Sequence, residues 1–368
     1  MIGNAVLTII VLLIIALGAL VYAGKGMFDA PGPLDRERSV VIPRDTGVRA
    51  IAEILRREGI IETPFVFVAA ALLTRATSEL KAGEYLFDAR VSMRGVLEAL
   101  VEGKSILHLV TIAEGLTSEQ IVQRLRESDV LTGELRQIPR EGTLLPESYK
   151  VMRGTPRQQL IGRMSAAHTR VLQEVWERRA PDVPVKTPEE LITLASIVEK
   201  ETGKADERSR VAAVFINRLN RKMRLQSDPT IIYGMVGGKG TIGRPLTRED
   251  VDRATPYNTY VIEGLPPGPI ANPGRASLEA VANPSRTREL YFVADGSGGH
   301  VFATTYDQHL KNVARWKDYM KEQATAGAQQ PPPPEPTPAP PAASQKSAPP
   351  QEKGVKRTGQ TEKGSRTQ

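Results

Sequence analysis

Cysteine is absent from this chain of 368 residues. Disulfide bonds, thiolate catalysis and cysteine-ligated metals are therefore excluded. Histidine is scarce, and the spacing of the four histidines does not pair them as metal ligands: they are His108, His168, His300 and His309. The sequence thus predicts neither a metal nor any other cofactor. For His300, which follows a glycine-rich turn, we expect a structural or hydrogen-bonding role ahead of a substrate contact.

The first 24 residues contain no charged side chain, and residues 5–23 are almost wholly apolar. Nineteen residues at helical rise cover about 30 Å, the thickness of the hydrocarbon layer of a membrane. The pattern predicts a single-pass anchor over residues 1–24. A cleaved signal peptide ending at Val21-Tyr22-Ala23 is the rival interpretation, but the apolar run is long and no basic stretch precedes it. Because only Lys25 lies near the span, charge does not set its orientation.

The formal net charge of +7 would suit an anionic surface, nucleic acid included. The sequence has no basic stripe interleaved with aromatic residues, which nucleic-acid binding by a patch would require. We therefore predict no nucleic-acid partner.

Patterning along the rest of the chain predicts an α+β protein. Residues 25–38 are typical of a polar tether. Residues 39–130 alternate short strands and helices, which indicates a small α+β module. Residues 131–322 are predicted to form a larger domain, mixed α+β but rich in helices, with a hairpin near residues 290–304. Residues 323–368 contain ten prolines between Pro331 and Pro350 and no apolar period, which predicts a disordered tail.

A helix predicted over residues 188–202 contains two neighbouring glutamates, Glu199 and Glu201. At about 100° per residue they lie on opposite sides of the apolar stripe and cannot form a catalytic pair. Glu201 has apolar neighbours and lies in the last turn, where the helix dipole disfavours a negative charge. Both effects raise a carboxyl pKa, as a general acid requires. A plain alternative stays open: both glutamates are solvated and flank Lys200.

Downstream segments combine aromatic, amide and proline residues in a stiff loop. Asp228-Pro229 predicts a turn, with Thr230 capping a short helix from residue 231. Residues 257–260 (YNTY) and 264–270 (GLPPGPI) follow. Rings stack on sugars and amides bond hydroxyls, so the loop suits carbohydrate, although bracing of the fold explains each residue equally well.

These segments resemble the MltG/YceG-like endolytic murein transglycosylases. The matching segments are residues 195–202 (ASIVEKET), 214–219 (VFINRL), 225–230 (LQSDPT), 257–260, 264–270 and 290–294 (LYFVA). They occur in the family's order and cover most of residues 187–316. The N-terminal span and a LysM-like module over residues 39–130 also fit its layout. Residues 146–149 (PESY) match this layout too, although Glu-Ser stands where Asp-Thr is usual. The proline-rich tail from about residue 323 lies outside the family pattern.

The resemblance implies that Glu201 is the catalytic acid/base and that peptidoglycan strands are the substrate. It implies cleavage of the bond between N-acetylmuramic acid and N-acetylglucosamine with formation of a 1,6-anhydro ring. It also implies a protein of the inner membrane with an extracytoplasmic catalytic domain, and synthases as candidate partners. Composition and resemblance together suggest these substrate-binding residues: Asn217, Gln226, Asp228, Tyr257, Asn258 and Tyr260.

Two alternatives remain at this stage. One is a hydrolysing muramidase that uses Glu201 with a second carboxyl such as Asp228. The other is a membrane-tethered peptidoglycan-binding protein without catalysis.

Overall fold

The N-terminal apolar segment is one long helix, α1 (Ile2–Asp29), in a computed structural model that describes residues 2–329. Its side chains between Val6 and Tyr22 are exposed, large hydrophobic ones included. Among residues 2–329, α1 is the one helix long and apolar enough to cross a membrane. The predicted apolar helix is thus confirmed, and it continues beyond the predicted end at residue 24.

The segment predicted as a tether, residues 25–38, packs on the protein. Phe28 and Leu34 are buried. Gly32 donates its N–H to the carbonyl of Val91 at 3.1 Å, and a Cβ atom on Gly32 would lie only 2.3 Å from that oxygen. Only glycine at position 32 lets the backbone come this close to Val91. The polar, loop-like composition of residues 25–38 gave no sign of this packing. Helix α1 leads directly into the folded part.

Helices and short strands alternate through the rest of the chain, which confirms the predicted α+β class. The further helices are α2 (Val48–Arg57), α3 (Pro64–Leu73), α4 (Met93–Glu102), α5 (Ser118–Glu127), α6 (Arg157–Glu177), α7 (Pro188–Glu201), α8 (Arg208–Asn220), α9 (Asp228–Val236), α10 (Arg248–Asp252), α11 (Arg275–Ala282) and α12 (Tyr306–Gln329). The strands are β1 (Arg38–Ile42), β2 (Gly83–Phe87), β3 (Leu107–Thr111), β4 (Leu131–Thr132), β5 (Ser148–Met152), β6 (Thr155–Pro156), β7 (Tyr291–Ala294) and β8 (His300–Ala303).

Every sheet within residues 2–329 has two strands. β1 pairs with β2, β3 with β5, and β7 with β8, all antiparallel, while β4 and β6 form a short parallel pair. The β7–β8 hairpin was predicted from its alternating pattern and glycine-rich turn. The pairing of β3 with β5 was not predicted, because a long connection separates the two strands and β5 has only five residues.

The buried side chains form three clusters. The first includes residues from Phe28 to Leu100. The second contains residues of β3, α5, β5 and α6, from Val110 to Met164. The third surrounds α7, which contacts both α8 and α11. β3 and α5, predicted within the module of residues 39–130, thus share a cluster with residues beyond 130.

Glu84 on β2 connects the first cluster to the second. Its carboxylate accepts hydrogen bonds from Ser39 Oγ at 2.6 Å, His108 Nε2 at 2.8 Å and Arg153 Nε at 2.7 Å. The hydrogen bonds from Ser39 and Arg153 are the main reason that the pKa of Glu84 falls to about 2. A carboxylate charged at all physiological pH values therefore holds the two parts of the chain together.

The helix α12 ends at Gln329, beyond the predicted boundary at residue 322. The rest of the predicted disordered tail, from residue 330 onward, lies outside the described residues.

Candidate active site

Helix α7 carries the candidate acid through the centre of the third cluster. Thr187 caps it as predicted, since its Oγ1 accepts the backbone N–H of Glu190 at 3.2 Å, and Pro188 occupies the first turn. All eight residues from Leu191 to Val198 are buried. The helix is therefore packed on every side over two turns, and Glu201 is its last residue.

The carboxyl group of Glu201 is partly buried and receives one hydrogen bond. Ser227 Oγ donates to Glu201 Oε1 at 2.5 Å. Burial is the largest influence and raises the pKa of Glu201 to about 7, although the Ser227 hydrogen bond lowers it. The charge of Asp228 acts in the direction of burial. The predicted direction of the pKa change is thus confirmed, and the solvated interpretation of Glu201 does not hold.

Glu199 points to a different part of the fold. Its Oε2 accepts the backbone N–H of Gly274 at 2.8 Å, and its Oε1 lies 3.9 Å from Arg208 Nη2. Its side chain is buried as well, so the solvated interpretation fails here too. No partner is common to Glu199 and Glu201, as expected for residues two apart on a helix.

The segment before α9 fixes the position of Ser227. Gln226 adopts a left-handed backbone conformation, with φ of 53°. Its N–H donates to the carbonyl of Thr259 at 3.1 Å, and the N–H of Ser227 donates to Thr259 Oγ1 at 2.9 Å. Thr230 Oγ1 donates to the carbonyl of Ser227 at 2.6 Å. A buried net of backbone and threonine contacts thus holds the serine, at the cost of a strained residue.

This geometry corrects the predicted cap at Thr230. Helix α9 begins at Asp228, with Pro229 in its first turn and Ser227 as the N-cap residue. The Ser227 side chain does not cap the helix; its hydroxyl donates to Glu201 instead. Sequence reasoning named Gln226 and Asp228 and passed over the serine between them. A serine directly before Asp-Pro is itself a helix-start signal, and it could have located α9.

Three of the predicted substrate-binding residues lie around this pair. Gln226 and Asp228 are exposed on either side of buried Ser227. Tyr260 Oη donates to Asp228 Oδ1 at 2.7 Å. Burial and the nearby Asp228 raise the pKa of Tyr260, so its hydroxyl keeps its proton. The structure thus brings a carboxylate and a phenol to the rim of the Glu201 carboxyl. The Gln226 amide lies beside them, where its Oε1 accepts from Arg218 Nη1 at 3.4 Å.

The other three predicted residues point elsewhere. The side-chain amide of Asn258 is fully buried and donates to the carbonyls of Val251 and Arg253 at 2.9 and 2.7 Å. That of Asn217 donates to the carbonyls of Thr287 and Glu289 at 3.0 and 2.9 Å. Tyr257 packs against Tyr233, with ring centroids 4.8 Å apart. The two asparagine amides have both N–H groups engaged in holding loops.

Two residues near Glu201, Arg218 and His300, were not among the predicted site residues. Arg218 is buried and donates from Nε to the carbonyl of Leu290 and from Nη1 to that of Leu225, both at 2.7 Å. His300 lies 2.9 Å from Glu207 Oε2 through Nδ1, in agreement with the hydrogen-bonding role expected for it. Both are close enough to lower the pKa of Glu201 slightly. Within residues 2–329, no group of three His, Asp or Glu side chains comes together as metal ligands would.

Comparisons with known proteins place this chain in a family. The model of the YceG-like family matches residues 40–315. A protein of Streptococcus pneumoniae serotype 2 (strain D39) named endolytic murein transglycosylase is 31% identical over 325 residues, which cover 75% of this chain and 58% of that protein. One of the same name from Bacillus subtilis (strain 168) is 28% identical over 330 residues, 80% of this chain and 89% of that protein. The chain thus spans 58% of the length of its pneumococcal relative. A solved YceG-like protein from Listeria monocytogenes, 28% identical, matches 75% of this chain and 98% of its own with a TM-score of 0.47.

Proposed function

The chain belongs to the YceG-like family, and we propose that it is an endolytic murein transglycosylase. Its substrate would be the glycan strand of peptidoglycan, cut at the β-1,4 bond between N-acetylmuramic acid and N-acetylglucosamine. The observation that supports this most directly is the Glu201 carboxyl, held by Ser227 in a buried setting that raises its pKa to about 7.

A single carboxyl of this kind is sufficient for the reaction. Glu201 gives its proton to the glycosidic oxygen, and the bond from that oxygen to C1 of the muramyl residue breaks. The resulting carboxylate accepts the proton of the muramyl C6 hydroxyl, whose oxygen bonds to C1 and closes the 1,6-anhydro ring. The enzyme regains its proton and no water is consumed. The attacking hydroxyl belongs to the substrate, so its proximity replaces a second catalytic carboxyl.

The raised pKa gives the reaction its acid at neutral pH. A carboxyl with an ordinary pKa is under about 1% protonated at pH 7, whereas one with a pKa near 7 is about half protonated. A group that must both give and accept a proton works best with its pKa near the working pH. Burial of the Glu201 carboxyl, rather than a paired carboxylate, is the main cause of this match.

We propose that Gln226, Asp228 and Tyr260 hold sugar rings next to Glu201, because their polar groups are at its rim. Tyr257 remains a proposed contact at the edge of the same loop. For Asn217 and Asn258 the internal hydrogen bonds support a positioning role instead.

The remaining expectations complete the proposal. Helix α1 would anchor the protein in the inner membrane, with the catalytic part on the extracytoplasmic side where peptidoglycan lies. Residues 39–130 would act as a LysM-like module that binds glycan. An enzyme held at the membrane reaches strands as they emerge, so it would end their elongation beside peptidoglycan synthases.

Product chemistry tests this function. The full-length chain in detergent is incubated with purified peptidoglycan sacculi in water enriched in heavy oxygen, and the soluble fragments are examined by mass spectrometry. We expect every new muramic acid end to be the 1,6-anhydro form, without heavy oxygen. Labelled reducing ends would instead indicate a hydrolase that uses Asp228 as its second carboxyl. Binding to sacculi without any new ends would indicate a binding protein.

The pH profile tests the surroundings of Glu201 separately. Ser227→Ala removes a hydrogen bond that lowers the pKa of Glu201, and Asp228→Asn removes a charge that raises it. The acid must be protonated, so activity falls as pH rises through its pKa. We expect this fall in kcat/KM to move to higher pH in Ser227→Ala and to lower pH in Asp228→Asn, each by roughly one unit.

The matched control is Ser78→Ala, at an exposed serine in a turn of the first module. Its profile should coincide with that of the unaltered chain. Shifts of the same sign in Ser227→Ala and Asp228→Asn would contradict the assignment of Glu201 as the titrating acid.

A further inference from the structure

Helix α3 has an apolar face that no other part of residues 2–329 covers. Phe65, Leu72 and Leu73 are 80%, 59% and 84% exposed. Their spacing of seven and eight residues places them on one side of the helix. The helix, with the sequence PFVFVAAALL, contains no charged residue. An exposed apolar face of this kind marks a surface that binds something.

The same helix lies beside the end of the membrane span. Helix α1 contacts both α3 and α4. Near its end, α1 turns one side chain inward, that of Phe28, which is buried. Phe28 belongs to the same buried cluster as Phe67 of α3. Phe28 lies only a turn and a half beyond the apolar run of residues 5–23, so α3 meets α1 just past the level where the hydrocarbon layer ends.

Several contacts hold this arrangement in place. Asp29, the last residue of α1, pairs with Arg94 Nη2 of α4 at 2.7 Å. The Arg94 guanidinium also lies over the ring of Phe28, 5.1 Å from its centroid. The following residues pack through Gly32 onto the connection before α4. Helix α3 therefore cannot move away from the span without breaking the first cluster.

We propose that α3 lies in the interfacial layer of the membrane that α1 crosses, with Phe65, Leu72 and Leu73 in contact with lipid. Continuity with the span identifies a lipid surface as the occupant. Two exposed basic residues are close in the chain to these helices' contact, Lys25 near the end of α1 and Arg75 two residues after α3, and they suit anionic head groups. The inference rests on α1 as the anchor of the proposed function. It adds that the module is fixed against the membrane, which sets the height of the Glu201 site above the bilayer.

The absence of cysteine makes a direct test simple, because each introduced cysteine is the only thiol in the chain. Single variants Phe65→Cys and Leu73→Cys of the full-length protein are labelled with an environment-sensitive fluorophore. They are reconstituted into vesicles of phosphatidylethanolamine and phosphatidylglycerol. Two further variants serve as references: Leu13→Cys within the span, and Leu109→Cys, at an exposed leucine on β3 next to Val110 of the second cluster.

We expect the labels at residues 65 and 73 to have blue-shifted emission and to be quenched by lipids that carry a spin label on the upper acyl chain. The label at residue 13 should be quenched by spin labels near the bilayer centre, and the one at residue 109 only by aqueous iodide. Labels at 65 and 73 that behave like the one at 109 would overturn the proposal while leaving the anchor intact.

Two other outcomes would also overturn it. If the label at residue 13 is quenched by iodide as well, the anchor fails and the lipid contact fails with it. If the labels at residues 65 and 73 leave water but respond to no spin-labelled lipid, the face is covered by protein. A second copy of this chain or another membrane protein would then be the occupant.

Discussion

Replacing Glu201 by glutamine is expected to reduce cleavage of peptidoglycan by about 10²- to 10⁴-fold, the usual contribution of a general acid or base. Glutamine has nearly the same size, and its amide oxygen can still accept the hydrogen bond that Ser227 donates to Glu201 Oε1. It has no proton to give at neutral pH, so the glycosidic oxygen would have to leave unprotonated. The rate at which full-length protein releases 1,6-anhydro fragments from sacculi measures the effect.

The control is Glu189→Gln on the same helix. Glu189 is exposed in the first turn of α7, twelve residues before Glu201, and its carboxyl makes no contact with the site. This variant should cleave like the unaltered chain. Sacculus binding by Glu201→Gln should also remain normal, since the substitution leaves the rim of Gln226, Asp228 and Tyr260 in place. Unchanged cleavage by Glu201→Gln would exclude Glu201 as the acid.

Local patterns were sufficient to predict helix α7 and the different directions in which its two glutamate side chains, Glu199 and Glu201, point. Thr187 and Pro188 identify the helix start, and the buried stripe then fixes the direction of each side chain. Helical geometry alone placed Glu199 and Glu201 on different sides, and the structure gives them different partners, Gly274 and Ser227. Information of this kind depends on residues within a few turns, which a single sequence contains.

Contacts between distant segments were not predictable in the same way. The hydrogen bond from Ser227 to Glu201 joins residues 26 positions apart. The pair Thr111–Ser148 between β3 and β5 joins residues 37 positions apart. Neither segment contains a local signal for its partner. The packing of residues 25–38 has the same origin, since it depends on Gly32 fitting under the carbonyl of Val91, in the connection between β2 and α4.

Within the loop of residues 257–260, residue type did not distinguish side chains that could bind a sugar from side chains that hold the loop in place. Asn258 and Tyr260 are two positions apart and both could bind a sugar. The structure buries the Asn258 amide completely and leaves the Tyr260 hydroxyl on Asp228 beside Glu201. In an irregular loop no fixed period relates position to direction, so the pattern gave both residues the same role.

The same substitution of Glu201 should make the folded protein more stable at alkaline pH. The folded state raises the pKa of Glu201 to about 7 from its ordinary value of 4.5. Folding therefore favours the protonated form. The stability associated with this group is fully present below pH 4.5 and declines as pH rises through 7. This pKa difference between the folded and unfolded states corresponds to at most about 3 kcal/mol of folding free energy. Partial exposure of the carboxyl makes the true contribution somewhat smaller.

Glutamine is uncharged at every pH, so Glu201→Gln lacks this decline. The melting temperatures of the two proteins in detergent are compared at pH 5 and at pH 8. We expect the melting temperature of the variant, relative to that of the unaltered chain, to be several degrees higher at pH 8 than at pH 5. About 1 kcal/mol shifts the melting temperature of a domain of this size by about 2–4 °C. Comparing two pH values cancels any constant effect of the amide.

In the control Glu189→Gln, the difference in melting temperature from the unaltered chain should not change with pH. A constant difference for Glu201→Gln would mean that folding leaves the carboxyl pKa unaltered, and the site would then lack the neutral acid that its chemistry needs. The expected result would show instead that the fold gives up stability at Glu201 to keep a proton available for the sugar.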